Sequence, residues 1–199
     1  MARWLRARGV AVIEVLPATV FDDVAAVIGP KKPESTVCFC LSYRLGGEVR
    51  DLRGPDRAVR AAELCALTPP PGVLAYLDGE PVGWAALHPR AQTTFARNRK
   101  IPHVDDRDVW SLWCFRVRPG HRGQGVMHHL LQGAAEIARE AGAPVVEGYP
   151  VDNKGAHIDL TMAYTGTRGL FERAGFVKAA DTDSVLAGHP RVVMRRELA

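Results

Sequence analysis

The sequence predicts an α+β (mixed α/β) fold, in which a central, mostly antiparallel sheet is flanked by helices. The predicted elements run strand, two helices, hairpin, strand, long helix, strand, short helix and two strands. Adjacent strands therefore alternate with crossover connections, which favours a mixed sheet over a doubly wound parallel one. The clearest local signal is the hairpin, because two apolar runs, 73–77 and 81–87, flank the turn-forming pair Asp78-Gly79.

The first part of the chain supplies one strand and two helices. Residues 10–15 are rich in β-branched side chains, which predicts a strand. Apolar residues recur at helical spacing over 21–28, with two aspartates in the first turn, so a helix is expected there. Residues 37–45 fit either a strand or a loop wall, and 56–67 fit a second helix.

The part after the hairpin is predicted to contain a long loop, two helices and four strands. The polar stretch 89–108 is longer than most connections in compact domains, so a loop on the substrate side is expected. The longest helix, 124–141, carries its apolar residues in one stripe. A shorter helix is expected to start after Thr165 or Thr167 and to stop at Gly175. The predicted strands are 109–117, 145–151, 176–179 and 191–196.

The composition is that of a globular protein, with 47% hydrophobic and 24% charged residues. No repeat or linker divides the chain, so residues 1–199 are interpreted as a single domain. No apolar run approaches the ~20 residues of a membrane helix, and the N-terminus lacks a signal-peptide cleavage pattern. A cytoplasmic protein without a membrane partner is therefore expected. The net charge of +4 is modest and its arginines are scattered, which disfavours a nucleic-acid partner.

The four cysteines, Cys38, Cys40, Cys65 and Cys114, are interpreted as reduced thiols in or near the core. No other Cys or His lies near the first two at ligand spacing, so no metal site is expected. A reactive Cys40 that faces the substrate is the alternative.

The segment 115–127 carries the strongest functional signal. The strand 109–117 runs into Pro119, which ends pairing because proline has no N–H to donate to a ladder. Three glycines follow, and a long helix begins at once. The unpaired N–H groups and the dipole at a helix start bind anions, and glycines let a diphosphate come close. The segment lacks the Gly-Lys-Ser/Thr of a P-loop and the glycine order of a dinucleotide fold. A plain strand-to-helix turn is the alternative.

This segment resembles the pyrophosphate-binding signature of GCN5-related N-acetyltransferases (the GNAT family): Arg or Gln, two residues, Gly, one residue, then Gly or Ala. Arg122, Gly125 and Met127 occupy these three positions, and Met127 departs from the usual small residue. Two more runs match the family and extend the resemblance over about 73–177. They are the aromatic-x-Val-x-Pro run at 115–119 and Leu-Phe-Glu-Arg-Ala-Gly-Phe at 170–176.

The resemblance implies a GNAT-like sheet whose strands 109–117 and 145–151 splay apart, with acetyl-CoA entering the cleft as acyl donor and no metal involved. Backbone groups of Phe115 and Val117 would pair with its pantetheine arm. Asn153, just beyond the second strand, would touch the same arm, with a turn residue as the alternative. Backbone N–H groups of one loop would hold the diphosphate, namely those of Arg122, Gly123, Gln124, Gly125, Val126 and Met127.

Acyl transfer to an amine needs a neutral amine, a stabilised oxyanion and a proton for the leaving thiolate. In the family a tyrosine of the short helix often supplies that proton, but Phe171 stands there in this sequence. Tyr164, at the entry of that helix, is the substitute candidate, and a packed aromatic is the alternative. Glu147 is the candidate base, with an exposed strand residue as the alternative. His88 and Asp152 are weaker candidates.

The predicted function is N-acyl transfer from acetyl-CoA to an amine of a small molecule, or of a protein, by direct attack in a ternary complex. Basic residues in the loop 89–108, offset by Asp105 and Asp106, are compatible with an acidic acceptor. A non-catalytic acyl-CoA-binding module is the first alternative, because the family's tyrosine is missing. A nucleic-acid binder is the second. A homodimer is left open.

Overall fold

The computed structural model describes residues 12–32, 34–35, 39–159 and 164–198. Seven strands and five α-helices are found in this part of the chain, together with three short 3₁₀ helices. The strands are β1 (Ile13–Pro17), β2 (Gly72–Leu77), β3 (Glu80–Pro89), β4 (Val109–Val117), β5 (Val145–Gly148), β6 (Val177–Leu186) and β7 (His189–Glu197). The α-helices are α1 (Phe21–Ile28), α2 (Ser42–Leu45), α3 (Gly54–Cys65), α4 (Val126–Glu140) and α5 (Arg168–Arg173). The 3₁₀ helices are Gly46–Arg50, Arg90–Gln92 and Thr94–Arg97.

The seven strands form one mixed sheet in the order β1-β2-β3-β4-β5-β7-β6. Every neighbouring pair is antiparallel except β4 and β5, which run parallel. Parallel neighbours need a long crossover connection, which contains α4 here. The predicted α+β fold with a mixed, mostly antiparallel sheet is therefore confirmed.

Helices cover both faces of the sheet and define two cores. The α4-side core joins α4 and α5 to the sheet through buried residues such as Leu130, Leu131 and Phe171. The α1-side core joins the other face to α1, α2 and α3 and is rich in aromatic rings, including Trp84, Trp113 and Tyr149. Side chains alternate between the faces along each strand, so neighbouring strand residues feed different cores.

A bulge in β4 lies where the sheet begins to open. Ala85 is opposite Phe115 and Ala86 is opposite Trp113, so Cys114 is the extra residue, and its φ is +49°. Pairing with β5 stops just before the bulge, at Leu112 and Gly148. Bulges bend a strand and raise its twist, so β4 diverges from its parallel neighbour. The predicted splay between these two strands is confirmed.

Several predicted elements differ from the observed ones for local reasons. The strand expected at 145–151 ends at Gly148, because Pro150 cannot donate to a ladder. The last hairpin is longer than expected, since Ala187 and Gly188 form its turn with positive φ angles. The segment 37–45, interpreted as a strand or a loop wall, contains the helix α2, while residues 36–38 lie outside the described part. Residues 10 and 11 of the first predicted strand also lie outside the described part of the chain.

The expectation that all cysteines are reduced is wrong for one pair. Cys40 and Cys114 form a disulfide that ties the segment before α2 to the bulge of β4, with their Cα atoms 6.7 Å apart. These residues are 74 positions apart in the sequence, so spacing alone gave no sign of the pairing. Cys65 is free and buried, as expected, and Cys38 lies outside the described residues.

Gly83 in β3 sets how closely the start of α4 approaches the sheet. A Cβ atom at Gly83 would lie 2.6 Å from Val126 Cγ1 and 3.1 Å from Leu130 Cδ1. We therefore expect Gly83→Ala to lower the free energy of unfolding by about 1–3 kcal/mol, since overpacking forces the helix outward. Urea unfolding measures this change. Gly47→Ala is the matched control, because nothing lies within 4 Å of its Cβ position. Equal stabilities of the two variants would contradict this account of the helix position.

Candidate active site

Backbone groups of β4 face an open gap beyond the point where pairing with β5 stops. Arg118 donates its N–H to Val82 of β3 over 2.9 Å, whereas Phe115 donates its N–H in the other direction, to Tyr164 O, over 2.6 Å. Because strand residues alternate in the direction of their hydrogen bonds, Val117 faces the same way as Phe115. The two residues expected to contact pantetheine thus both present their backbone to the gap.

The segment from Tyr164 to Thr167 lies across part of this gap. Its carbonyl at Tyr164 bonds to β4, and its carbonyl at Gly166 accepts the N–H of Val151 over 3.1 Å. Val151 in turn accepts a hydrogen bond from the Arg168 N–H over 2.8 Å. The N–H of Phe115 is therefore already bonded in this structure, so pantetheine could pair with it only by replacing the Tyr164 carbonyl. Val117 lies nearer the mouth of the gap.

The turn between β4 and α4, residues 118–125, exposes its backbone at that mouth. Gly120, Gly123 and Gly125 all have positive φ angles, between 77° and 88°. Such angles strain any residue with a side chain, so the glycines are required by the turn itself. The side-chain amide of Gln124 braces the turn by donating to Gly120 O over 3.1 Å.

The helix α4 begins at Val126 with Gly125 as its N-cap, and no side chain caps it. The N–H groups of Val126 and Met127 have no partner within the helix, because the first intrahelical bond to Gly125 O comes from His128. No acidic residue lies in the first turn. The side chain of Val126 is buried in the α4-side core, and that of Met127 is partly buried against it. This helix start has the chemistry of an anion site, with the exposed Arg122 beside it.

Tyr164 places its phenol on the α1 side of the gap. Its hydroxyl shares a hydrogen bond of 3.1 Å with the hydroxyl of Tyr43 from α2. Burial, followed by this hydrogen bond, raises the pKa of Tyr164 to about 12, while the nearby Arg191 guanidinium opposes the rise. A phenol with such a pKa keeps its proton at neutral pH. Tyr164 can therefore act as a proton donor.

The sequence of this chain matches the model of a protein family. The family described as "Acetyltransferase (GNAT) family" matches residues 47–176, which is about two thirds of the chain. The protein belongs to the GNAT family. No curated protein is significantly similar to it in sequence.

Solved structures share the GNAT fold over nearly the whole chain. One is yncA from Salmonella typhimurium, solved with acetyl-CoA, with 16% identity, a TM-score of 0.53 and 94% of each chain covered. Another is the bh2621 protein from Bacillus halodurans, with 13% identity and a TM-score of 0.55, covering 94% of this chain and 84% of that one. Ard1 from Thermoplasma volcanium has 13% identity and a TM-score of 0.51, covering 95% and 98%. At these identities the likeness is one of fold.

Glu147, the candidate base of this GNAT enzyme, lies in a buried network of ion pairs. Its carboxylate is fully buried and accepts hydrogen bonds from Arg90 Nη1 at 2.5 Å, Arg195 Nε at 2.9 Å and Tyr149 Oη at 2.6 Å. Two guanidinium groups form ion pairs with the carboxylate, and breaking such a buried pair costs several kcal/mol. Glu147 therefore joins the loop after β3 to β7, and its side chain is fully buried.

The remaining sequence candidates are engaged in local structure. The Asn153 side chain donates to Ala156 O in an exposed turn, which is the turn interpretation of that residue. Asp152 accepts a hydrogen bond from Arg168 Nη1 at 3.1 Å. His88 Nε2 lies 3.0 Å from Gln92 Oε1, and burial, with a smaller contribution from Arg44, lowers its pKa to about 4.

Two residues of the site were missed from the sequence. Tyr43 lies in the segment 37–45, whose structure was left open. Arg191 was noted only as the start of a strand. It lies two residues before the buried Val193, so both side chains are on the same face of the sheet, and an arginine on a buried face is unusual.

A cavity of about 700 Å³ lies at the opposite end of the sheet from the anion site, because it borders the C-terminal end of α4. It is lined mainly by residues 89–92, 105–110 and 141–144. The charged end of the loop 89–108 therefore lies far from the start of α4. Within the described ranges, no cluster of three or more His, Cys, Asp or Glu residues could hold a metal ion. None of the helices in the described part is long and apolar enough to cross a membrane.

The buried His88 predicts a pH dependence of stability. Its pKa is about 4 in the folded protein and about 6.5 when unfolded. The unfolded chain therefore takes up a proton that the folded protein refuses, and the free energy of unfolding should fall as the pH drops from 6.5 towards 4. Urea unfolding across this range measures the effect. His88→Gln should show a shallower fall, and parallel curves for the two proteins would contradict this assignment.

Proposed function

We propose that this GNAT enzyme transfers the acetyl group of acetyl-CoA to the amine of a small molecule, or of a protein, by direct attack in a ternary complex. The observation that carries the proposal is the gap between β4 and β5, which opens onto the uncapped, glycine-lined start of α4. A long, flexible thioester that ends in a diphosphate fits such a site, since it needs a groove for the arm and an anion site at its mouth.

The diphosphate is assigned to the turn before α4 and the first residues of the helix. Backbone N–H groups hold phosphate oxygens well because the helix dipole adds to their hydrogen bonds. Arg122 is exposed at this turn and adds a mobile positive charge. The proposed diphosphate-binding residues are Arg122, Gly123, Gln124, Gly125, Val126 and Met127.

The pantetheine arm is assigned to the gap, against the backbone of Val117 and then Phe115. To reach Phe115 it must replace the hydrogen bond from that residue's N–H to Tyr164 O. The proposal therefore includes a small displacement of the segment 164–167 when the coenzyme binds. Asn153 can contribute only if its side chain leaves the turn carbonyl it now binds.

The chemical step follows from the groups near Tyr164. The neutral amine attacks the thioester carbon, the carbonyl oxygen becomes an oxyanion, and a gap-facing N–H of β4 stabilises it. The C–S bond then breaks, and the Tyr164 phenol gives its proton to the leaving thiolate. Since the Glu147 carboxylate is buried and bound by two arginines, the proton released by the attacking amine passes to solvent water in this proposal.

The wider organisation is also part of the proposal. Strands β1 and β7, from the two ends of the described chain, lie in the same sheet, which supports one domain over residues 1–199. The edge strand β6 exposes Val177 and Val185, which supports a homodimer. A cytoplasmic location fits an enzyme that draws on acetyl-CoA.

The second candidate function is a non-catalytic acyl-CoA-binding module. The observation that favours it is Phe171, which occupies the place of the family's tyrosine and lies fully buried in the α4-side core. A screen for thiol release from acetyl-CoA against amines, polyamines, amino acids and aminoglycosides distinguishes the two. Amine-dependent release supports the enzyme, and coenzyme binding without release from any amine supports the module.

Substituting Gly125 tests the diphosphate site with a matched pair of variants. Gly125→Glu and Gly125→Gln add the same bulk and the same backbone strain, but only the first adds a negative charge. We expect the Glu variant to bind acetyl-CoA about tenfold more weakly than the Gln variant, or weaker still, because its carboxylate competes with the diphosphate for the helix start. Isothermal titration measures both affinities, and equal values would rule out this position for the diphosphate.

Removing the Tyr164 hydroxyl tests the proton donor. Tyr164→Phe should lower kcat about tenfold or more while the KM for acetyl-CoA stays unchanged, because a general acid acts only in the chemical step. Tyr76→Phe is the control. It also removes a hydroxyl that is bonded to a neighbour, Asp23, but Tyr76 lies on β2 away from the gap. Wild-type turnover in Tyr164→Phe would remove this residue from the mechanism.

A further inference from the structure

Arg191 is a buried cation whose guanidinium is incompletely paired. It lies near the start of β7, and its side chain is only 4% exposed. Its Nε donates to Tyr149 O over 2.8 Å, and its guanidinium lies 5.8 Å from the centre of the Tyr149 ring. Its Nη2 is buried and has no hydrogen-bond partner, and no carboxylate within the described ranges forms an ion pair with it.

Other buried arginines of this chain have their charge compensated, although Arg90 Nε and Arg195 Nη2 are, like Arg191 Nη2, buried without a hydrogen-bond partner. Arg90 and Arg195 both bind the carboxylate of Glu147, and Arg57 donates to the backbone carbonyls of Leu52 and Val49. Taking an unpaired charge out of water is costly, so such groups normally meet an anion or a full set of acceptors. Arg191 departs from this rule, which indicates that its anion arrives with a ligand.

The position of Arg191 indicates which ligand. Its side chain lies against Tyr149, a member of the α1-side core, whereas α4 and the diphosphate turn lie on the other face. The backbone of Arg191 forms an isolated β-bridge with Val151. Val151 in turn donates a hydrogen bond to Gly166, in the same segment as Tyr164. The guanidinium acts electrostatically on the Tyr164 phenol. Arg191 thus lies beside the proposed proton donor, on the face left to the acceptor.

We infer that Arg191 binds an oxyanion of the acceptor, so that the substrate is an amine that also carries a carboxylate or a phosphate. This inference rests on the proposed acyltransferase function. The planar guanidinium, held by its Nε, directs its remaining N–H groups at the oxyanion, and the amine is then held at a fixed distance from it. Arg90, counted from the sequence among the basic residues near an acidic acceptor, is already bound to Glu147 and plays no such role.

An activity-independent measurement tests the anion site. With saturating CoA present, so that the diphosphate site is filled, succinate and inorganic phosphate should each be titrated while the melting temperature is followed. At least one of them should raise the melting temperature of the wild type. Arg191→Met should lose this shift, Arg191→Lys should keep part of it, and Arg173→Gln, which removes an exposed arginine on α5, should keep all of it. No shift in the wild type, or an equal shift in Arg191→Met, would overturn the inference.

Kinetics with matched acceptors tests the substrate class. Alanine, alaninamide and 2-aminoethyl phosphate present an amine next to a carboxylate, a neutral amide and a phosphate, respectively. The wild type should prefer one of the two anions, and Arg191→Met should raise the KM for that anion about tenfold to hundredfold while leaving the KM for acetyl-CoA unchanged. A wild-type preference for the amide would overturn the inference and leave the enzyme function intact. Thiol release from none of the amines screened would instead remove the proposed function, whatever the melting data show.

Discussion

The organisation of this protein depends on one constraint in its sheet, namely that β4 and β5 can pair over only four residues. The bulge at Cys114 bends β4, and Pro150 ends the ladder of β5. On the side of β5, backbone polar groups of β4 beyond this point lack a neighbouring strand, although buried backbone groups need partners. The Tyr164 carbonyl supplies one of them. In the gap, backbone groups of β4 can therefore form hydrogen bonds with a partner that is not a strand of the sheet.

The start of α4 is fixed to the same gap by the chain itself. Only the turn 118–125 separates the end of β4 from the helix, and Gly83 lets that end of the helix settle closely on β3. The proposed anion site and the unpaired strand edge therefore lie close together in the chain, although one is made of helix amides and the other of strand amides. A ligand with an extended arm and a diphosphate can bind the helix start and the strand edge at the same time. Binding of the phosphates then helps to hold the thioester in a fixed position.

Features encoded in short stretches could be predicted from the sequence, and those formed by distant residues could not. The hairpin around Asp78-Gly79 and the glycine turn before α4 depend on local backbone requirements, and both are found where the sequence places them. The ion pairs of Glu147 could not be predicted, because its partners Arg90 and Arg195 are 57 and 48 residues away. The same holds for the disulfide between Cys40 and Cys114, and for Tyr43, which meets Tyr164 across 121 residues. A buried carboxylate looks like a candidate base until its counter-ions are known.

The most direct test of the central claim is a crystal structure of the protein with acetyl-CoA bound. The account predicts diphosphate oxygens about 3 Å from the N–H groups at the start of α4. It also predicts that the pantetheine arm lies along Val117 and Phe115, with the Tyr164 carbonyl displaced from the Phe115 N–H. A diphosphate bound away from the turn 118–125, or an arm that leaves the gap between β4 and β5 empty, would contradict it.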